Sequence, residues 1–119
     1  MEVRPNSEGL LLRLLDASTE RQRVIANNLA NQNTPGFIRN NLLFEELVAE
    51  QMQSPTGDPD SVEFVVAPDD VTPTRSDGNN VTPELEQVAD QQNRLRYETY
   101  ITILQGQYSL LQTAITGGN

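Results

Sequence analysis

The sequence predicts a mainly α protein. An N-terminal and a C-terminal helix pack together, antiparallel and coiled-coil-like, with a flexible or small β-containing segment between them. Three observations carry this reading. From Thr82 the chain runs uninterrupted to Gly117-Gly118, and Tyr97, Tyr100, Ile101, Leu104, Tyr108, Leu111 and Ile115 recur there at steps of three and four, one stripe along a helix preceded by Leu85, Val88 and Leu95. From Ser7 to about Asn31, Leu11, Leu14, Leu15, Val24, Ile25 and Leu29 supply a second apolar face. The roughly fifty residues between them are rich in proline, glycine and acids, and long enough to return the chain. The expected organisation is one domain over 1–119: a helix over 7–31, a turn, short helix and irregular or β middle over 32–81, and a helix over 82–115.

Taken in order, Ser7 is a candidate N-cap. The polar centre of the first helix, Ser18 to Arg23, weakens it as an independent unit, so it needs a partner, and the C-terminal stripe is the expected one. The helix then meets Asn31-Gln32-Asn33-Thr34-Pro35-Gly36-Phe37. Pro35 disfavours helical geometry at Thr34, Gly36 can take the positive φ of a type II turn, and Asn33 tolerates the left-handed region at a helix end. The chain must turn here. The run Asn27-Asn28-Leu29-Ala30-Asn31 adds amide side chains able to bond exposed backbone or a neighbouring chain.

From Asn41 to Met52, Leu43, Phe44, Leu47, Val48 and Met52 suggest a short second helix. Pro55, Gly57 and Pro59 mark a loop. Val62 to Val66 has strand character, with Val71 to Arg75 as its candidate partner; failing that, the strand is mobile or completed by a neighbouring chain. Ser76-Asp77-Gly78-Asn79-Asn80 is a turn cluster. Thr82-Pro83-Glu84 then reads as a helix start, with a hydroxyl cap, proline at the first helical position and an acid facing the positive dipole end. Such a helix is ~50 Å long. A compact chain of this size has a radius of gyration near ~13.5 Å and a diameter of about 35 Å. Either the helix breaks or other molecules cover part of its stripe, and the second is the working reading.

Composition bounds the function. A net charge of −9 repels phosphate backbones and anionic membranes, so neither nucleic acid nor direct membrane insertion is expected. With 36% hydrophobic and 5% aromatic residues the core is modest. No cysteine and no histidine are present, which removes disulfides, thiolate metal sites and the commonest general base. Leu10-Leu11-Leu12 is interrupted by Arg13 and Asp16 without a small-residue cleavage site, so no conventional cleaved signal is expected. Among the acids, Glu45, Glu46 and Glu50 are the nearest to a carboxylate cluster, with Glu46 and Glu50 on one helix face. A solvated face is the stronger reading than paired-acid hydrolysis. Asp58, Asp60, Asp69, Asp70 and Asp77 do not follow the calcium-loop pattern and read as solvated loop acids. Catalytic, metal and cofactor residues are therefore expected to be none. Tyr97, Tyr100 and Tyr108 read as interface or core, not a stacking platform. Gly106 costs about 1 kcal/mol inside a helix, and marks either a close backbone approach or neutral drift.

Ala26 to Phe37 resembles the N-terminal signature shared by bacterial flagellar rod and hook proteins. Ser76 to Val81 resembles a motif that stands before the C-terminal helix of FlgB-type subunits. Leu95-Arg96-Tyr97 and Ser109 to Ile115 are similar to that family's ending. Together they cover both terminal thirds in the right order, and the chain resembles the FlgB family of proximal-rod subunits. Asn28 to Asn31 with Phe37 and Phe44-Glu45-Glu46-Leu47 is also similar to the much longer middle and distal rod subunits, and the acidic stretch from Asp58 to Asp77 matches no family pattern.

The resemblance implies a non-enzymatic subunit whose terminal helices form the innermost layer of a drive shaft crossing the periplasm and lining an export channel. It implies export through the flagellar type III apparatus, and as partners other rod subunits, basal-body ring and export-gate proteins, and further copies of itself. Leu10 to Leu15 is then either an export-recognition element or an ordinary helix face. Asn28, Leu29, Ala30, Asn31, Asn33, Thr34, Pro35, Gly36 and Phe37 would set the turn from the inner helix, and Asp77, Gly78, Asn79, Asn80 and Val81 the re-entry into the C-terminal one. Leu95, Tyr97, Ile101, Leu104, Gly106, Tyr108, Leu111 and Ile115 would form the helix interface. The alternatives are another rod subunit, a small helical secretion chaperone or adaptor, and a carboxylate-based wall hydrolase using Glu46 and Glu50.

Overall fold

The computed structural model describes residues 7–117, with side chains from Gly9 onward. Helix α1 spans Ser7–Ala30. Ser7 is its first described residue, and the side chain expected to cap the helix lies outside the described residues. The helix end tightens through a shared donor, Asn31 N–H bonding the carbonyls of Asn27 at 3.2 Å and Asn28 at 3.1 Å, and then by Gln32 N–H to Leu29. Asn33 keeps a negative φ, as do all described non-glycine residues, so this ending does not use the left-handed region. Gly36 does, at φ 76°, and Phe37 N–H closes on the Thr34 carbonyl across Pro35-Gly36, as a type II turn requires.

The middle segment differs from the sequence expectation. Strand β1, Asn40–Leu43, pairs antiparallel with β2, Val65–Pro68, in the register Asn40 to Pro68 and Leu43 to Val65. The strand expected from Val62 therefore starts three residues later. Its partner is not Val71 to Arg75 but the stretch read as the opening of the second helix, and that helix, α2, occupies Glu45–Gln53. The cause is non-local. The side-chain amide of Asn28 donates to the Asn40 carbonyl at 3.0 Å and accepts from its N–H at 2.9 Å, taking the place of a further strand at the free edge of β1. Val62 instead closes a turn of 3-10 helix, Pro59–Ser61, which Asp58 caps by accepting from the Asp60 N–H.

The core lies between α1 and this middle segment. Ala17, Leu42, Phe44, Val48 and Val62 are buried together, with Leu10, Leu14, Val24, Leu47 and Phe64 packed around them. The Phe44 and Phe64 rings meet edge to face at 5.1 Å, and the Arg13 guanidinium covers Phe44.

Helix α3, Pro83–Ile115, is unbroken over 33 residues and packs antiparallel on α1. The seam is polar where a greasy one was expected. Asn93 Nδ2 donates to the Ser18 carbonyl at 2.8 Å, Gln22 Nε2 to Asp90, and Asn28 Nδ2 to Glu86 at 3.3 Å. Leu85, Val88 and Leu95 are about half or more exposed, off the side that meets α1. Thr82 holds the N-cap position without a side-chain bond, so its hydroxyl does not cap; Pro83 follows at the first helical position as expected. Continuing the register, Ser7 stands level with about Gln105, leaving ~16 Å of α3 past the first described turn of α1. The radius of gyration is 18.2 Å and the extents are 64 × 34 × 14 Å, well beyond a compact chain.

Candidate functional site

The two asparagine-rich motifs are 40 residues apart in sequence and touch in space. Gly36 N–H donates to the Asp77 carbonyl at 2.8 Å, and Asn80 N–H to the Phe37 carbonyl at 3.3 Å. Asn79 is fully buried. Its Nδ2 bonds the carbonyls of Asn31 and Thr34, both at 2.8 Å, while its Oδ1 accepts from Val81 N–H at 2.6 Å. Asn80 Oδ1 accepts from Arg39 N–H at 2.7 Å, and its Nδ2 reaches the Asp69 and Thr72 carbonyls. An asparagine carries both donors and acceptors on a short stem, so each one can satisfy backbone of two segments at once. Arg75 closes the outer side by donating to the carbonyls of Gln32 and Val81.

Behind these amides lies a buried charge cluster. Arg39 Nε pairs with Glu86, whose side chain is 0% exposed, and Arg39 Nη1 with Asp69 at 2.7 Å. The Thr72 hydroxyl, the Val71 and Thr72 amides and Arg39 hold the Asp69 carboxyl well below the usual carboxylate range, against the opposing effect of burial. Asp69 is thus not the solvated loop acid expected of it. For Arg39, burial disfavours the charge, but Glu86 and Asp69 outweigh it and raise the pKa.

A second cluster ties α1, α2 and α3 together. Arg21 bonds both Glu45 oxygens, the Leu42 carbonyl and Asn93 Oδ1, and the Tyr100 hydroxyl donates to Glu45 at 2.8 Å. Burial and the Glu45 carboxylate push Tyr100 up to about 12. Burial also opposes ionisation of Glu45, but Arg21 and Tyr100 prevail and lower its pKa. Glu46 and Glu50 do face solvent, whereas Glu45 does not belong to that solvated face. A cavity of about 230 Å³ lies between α1, β1 and α3, but its three arginines, Arg21, Arg39 and Arg96, are already paired with carboxylates.

Among the described residues no buried side-chain nitrogen or oxygen lacks a partner. Chemically the arrangement is a clasp: its polar groups are committed to fixing the end of α1 against the start of α3. The structure brings Asn31, Thr34, Gly36 and Phe37 together with Asp77, Gly78, Asn79, Asn80 and Val81, while Asn28 joins Asn40 and Glu86 instead. Leu29 is half-buried on α1, while Ala30, Asn33 and Pro35 are exposed. Of the helix residues, Ile101 and Leu104 are half-buried, and Leu95, Tyr97, Gly106, Tyr108, Leu111 and Ile115 are exposed. Sequence reasoning missed Arg39, Glu86, Arg75, Arg21 and Asn93. Their side chains act across the fold, and nothing in the local pattern around them marks burial.

Residues 15–37 match the profile of the family described as Flagella basal body rod protein, which takes in the second half of α1 and the whole of the turn. The chain is 29% identical over 109 residues to the flagellar basal body rod protein FlgB of Bacillus subtilis, covering 82% of this chain and 84% of that one. It is 51% identical over 41 residues to the flagellar basal-body rod protein FlgG of Buchnera aphidicola, 34% of this chain and 16% of the relative. A short motif is thus held in common with a longer rod protein, and a similarity to FlgB runs through most of both chains: the chain is similar to flagellar basal body rod proteins.

Proposed function

We propose that the chain is a structural, non-enzymatic subunit of the flagellar rod, polymerising through its terminal helices into part of the drive shaft and the channel that shaft encloses. The observation that carries this is the clasp: the two motifs lock at one point, and α3 leaves it as a single unbroken helix longer than the described residues of its own chain cover. Contacts between such a projecting helix and a different surface of the next copy are heterologous, and heterologous contacts that do not close build filaments. In this reading Asn28 to Phe37 sets the turn from the inner helix and Asp77 to Val81 the re-entry, while Leu95 to Ile115 supplies interface.

Other rod subunits are the immediate partners, with ring and export-gate proteins of the basal body as further neighbours. The rod lies in the periplasm and the chain reaches it through the flagellar type III apparatus. No described helix is long and apolar enough to cross a membrane. A secretion adaptor would be a sealed bundle, and the exposed side of α3 speaks against that alternative. Deleting the gene should give basal bodies without rods and non-swimming cells, both restored by the intact gene. Rods of normal length in the deletion strain would overturn the reading.

A further inference from the structure

Asp77-Gly78 is the one place in the sequence where an aspartate or asparagine precedes a glycine. That pair carries chemistry of its own. With no side chain on the following residue to screen it, the Gly78 amide nitrogen can attack Cγ of Asp77, closing a five-membered imide ring while the amide proton and the carboxyl hydroxyl leave as water. Water then reopens the ring at either carbonyl. One product is the original aspartate and the other an isoaspartate, whose main chain runs through Cβ and Cγ. The net change is a rearrangement, with no atom gained or lost and no oxidant or reductant consumed.

In the folded chain both reacting groups are held elsewhere. Gly78 N–H donates to the Arg75 carbonyl at 2.9 Å, Asp77 Oδ1 accepts from Asn79 N–H at 3.0 Å, and Asp77 Oδ2 pairs with Arg75 at 3.5 Å. The Asp77 carbonyl accepts from Gly36 N–H at 2.8 Å, which fixes the peptide plane that would have to rotate. Burial does not protect the pair, because the Asp77 side chain is 39% exposed. The bonds do. A reaction that needs them broken runs at its unfolded-chain rate multiplied by the fraction of molecules in which the clasp is open. The product also misfits. Isoaspartate lengthens the main chain by one atom between Asp77 and Gly78 and turns the carbonyl that receives Gly36 N–H into a free carboxylate, where Gly78 packs against the Gly36 main chain.

We propose that Asp77-Gly78 is a site of isoaspartate formation that the clasp holds shut, and that a chain once isomerised there no longer closes the clasp. The inference is independent of the rod-subunit reading, since it concerns the purified full chain. That chain is incubated for weeks at neutral pH in buffer and in guanidinium chloride, and its tryptic peptide Ser76 to Arg94 is sequenced by electron-transfer fragmentation, which tells the two isomers apart. Isoaspartate at Asp77 should build up in denaturant and at least about tenfold more slowly in buffer. Asp90 of the same peptide, followed by glutamine, should lag far behind in denaturant. Gly78→Ala should suppress the reaction in denaturant, where folding plays no part. Asn79→Ala, which removes the amide that bonds the Asn31 and Thr34 carbonyls, should bring the rate in buffer towards that in denaturant. The isomerised fraction, returned to buffer, should unfold at a lower urea concentration than the parent. Equal rates in the two media, no isoaspartate at Asp77 in denaturant, an Asn79→Ala chain as slow as the parent in buffer, or an isomerised chain with the parent's urea midpoint would each overturn the proposal.

Discussion

A Cβ placed on Gly78 would sit 3.2 Å from the Cα of Gly36, tighter than ordinary contact and against main chain that cannot swing aside. Gly78 also has φ 82°, where an L side chain is strained. Gly78→Ala should therefore destabilise the chain by about 2 kcal/mol. Its urea midpoint should fall accordingly, and more than that of Gly9→Ala in α1, where no atom lies within 4 Å of the new Cβ and φ is not positive.

Glu86 accepts from Arg39 through one oxygen and from Asn28 through the other. Glu86→Gln keeps the shape but leaves one acceptor for two donors and removes the charge facing a buried guanidinium. Breaking a buried pair by deleting one partner costs about 3–5 kcal/mol. Equilibrium unfolding of this variant should show a loss at the lower end of that range, since Asp69 still faces Arg39.

Stability should depend on pH in two windows. Asp69 and Glu45 ionise more readily in the folded chain than unfolded, so the stability they supply is complete above their unfolded values, near ~4, and is lost as the pH falls through the folded ones. Tyr100 runs the other way. Its folded value, about 12, lies above its ordinary 10.0, so its contribution holds below pH ~10 and disappears as the pH rises through about 12. Urea midpoints should be flat from about pH 5 to 9 and fall on either side. Tyr100→Phe should flatten the alkaline fall, and Asp69→Asn the acid one.

Thr82 reads as a cap in the sequence and Asp69 as a solvated loop acid, yet it is Asp69 that bonds backbone amides, those of Val71 and Thr72. Thr82→Ala should change stability by less than ~0.5 kcal/mol, short of the ~1 kcal/mol of a working N-cap, because its hydroxyl bonds nothing at the start of α3. Asp69→Ala should cost about 3 kcal/mol, since it strips partners from Arg39, Val71 and Thr72 together. Thermal unfolding of the two variants checks the contrast.

Gly106→Ala should raise the stability of the dilute chain by up to ~1 kcal/mol, since the methyl enters open space and the helix gains propensity. Thermal unfolding at low concentration measures this. A melting temperature that falls on this change would show that the glycine already serves a contact within the chain.

The terminal helices were legible because their signals are local: a 3.6-residue period, proline at the first helical position, and glycines after the last turn. The Pro35-Gly36 turn was legible for the same reason. Strand β1 was not, because Leu42, Leu43 and Phe44 fit a helical period as well as a strand, and what decides is Val65 to Pro68 from one side and the Asn28 amide from the other. The clasp was half legible. Its asparagines stand out in the sequence, but Arg39 and Glu86 are 47 residues apart and look like any surface charges until the fold joins them. Asp69 was misread for that reason as well, since its burial is created by Arg39 and Asn80. The polar part of the seam was not legible because Glu86, Asp90 and Asn93 lie ahead of the apolar stripe and nothing local marks them as facing α1.

That seam has a mechanical consequence. Sliding α3 along α1 by one turn, ~5.4 Å, would sever the Ser18 to Asn93, Gln22 to Asp90 and Asn28 to Glu86 bonds at once. The distance by which α3 runs past the first described turn of α1 is therefore a gauge cut identically into every molecule. Pieces of equal gauge can be laid end to end without their tolerances adding up.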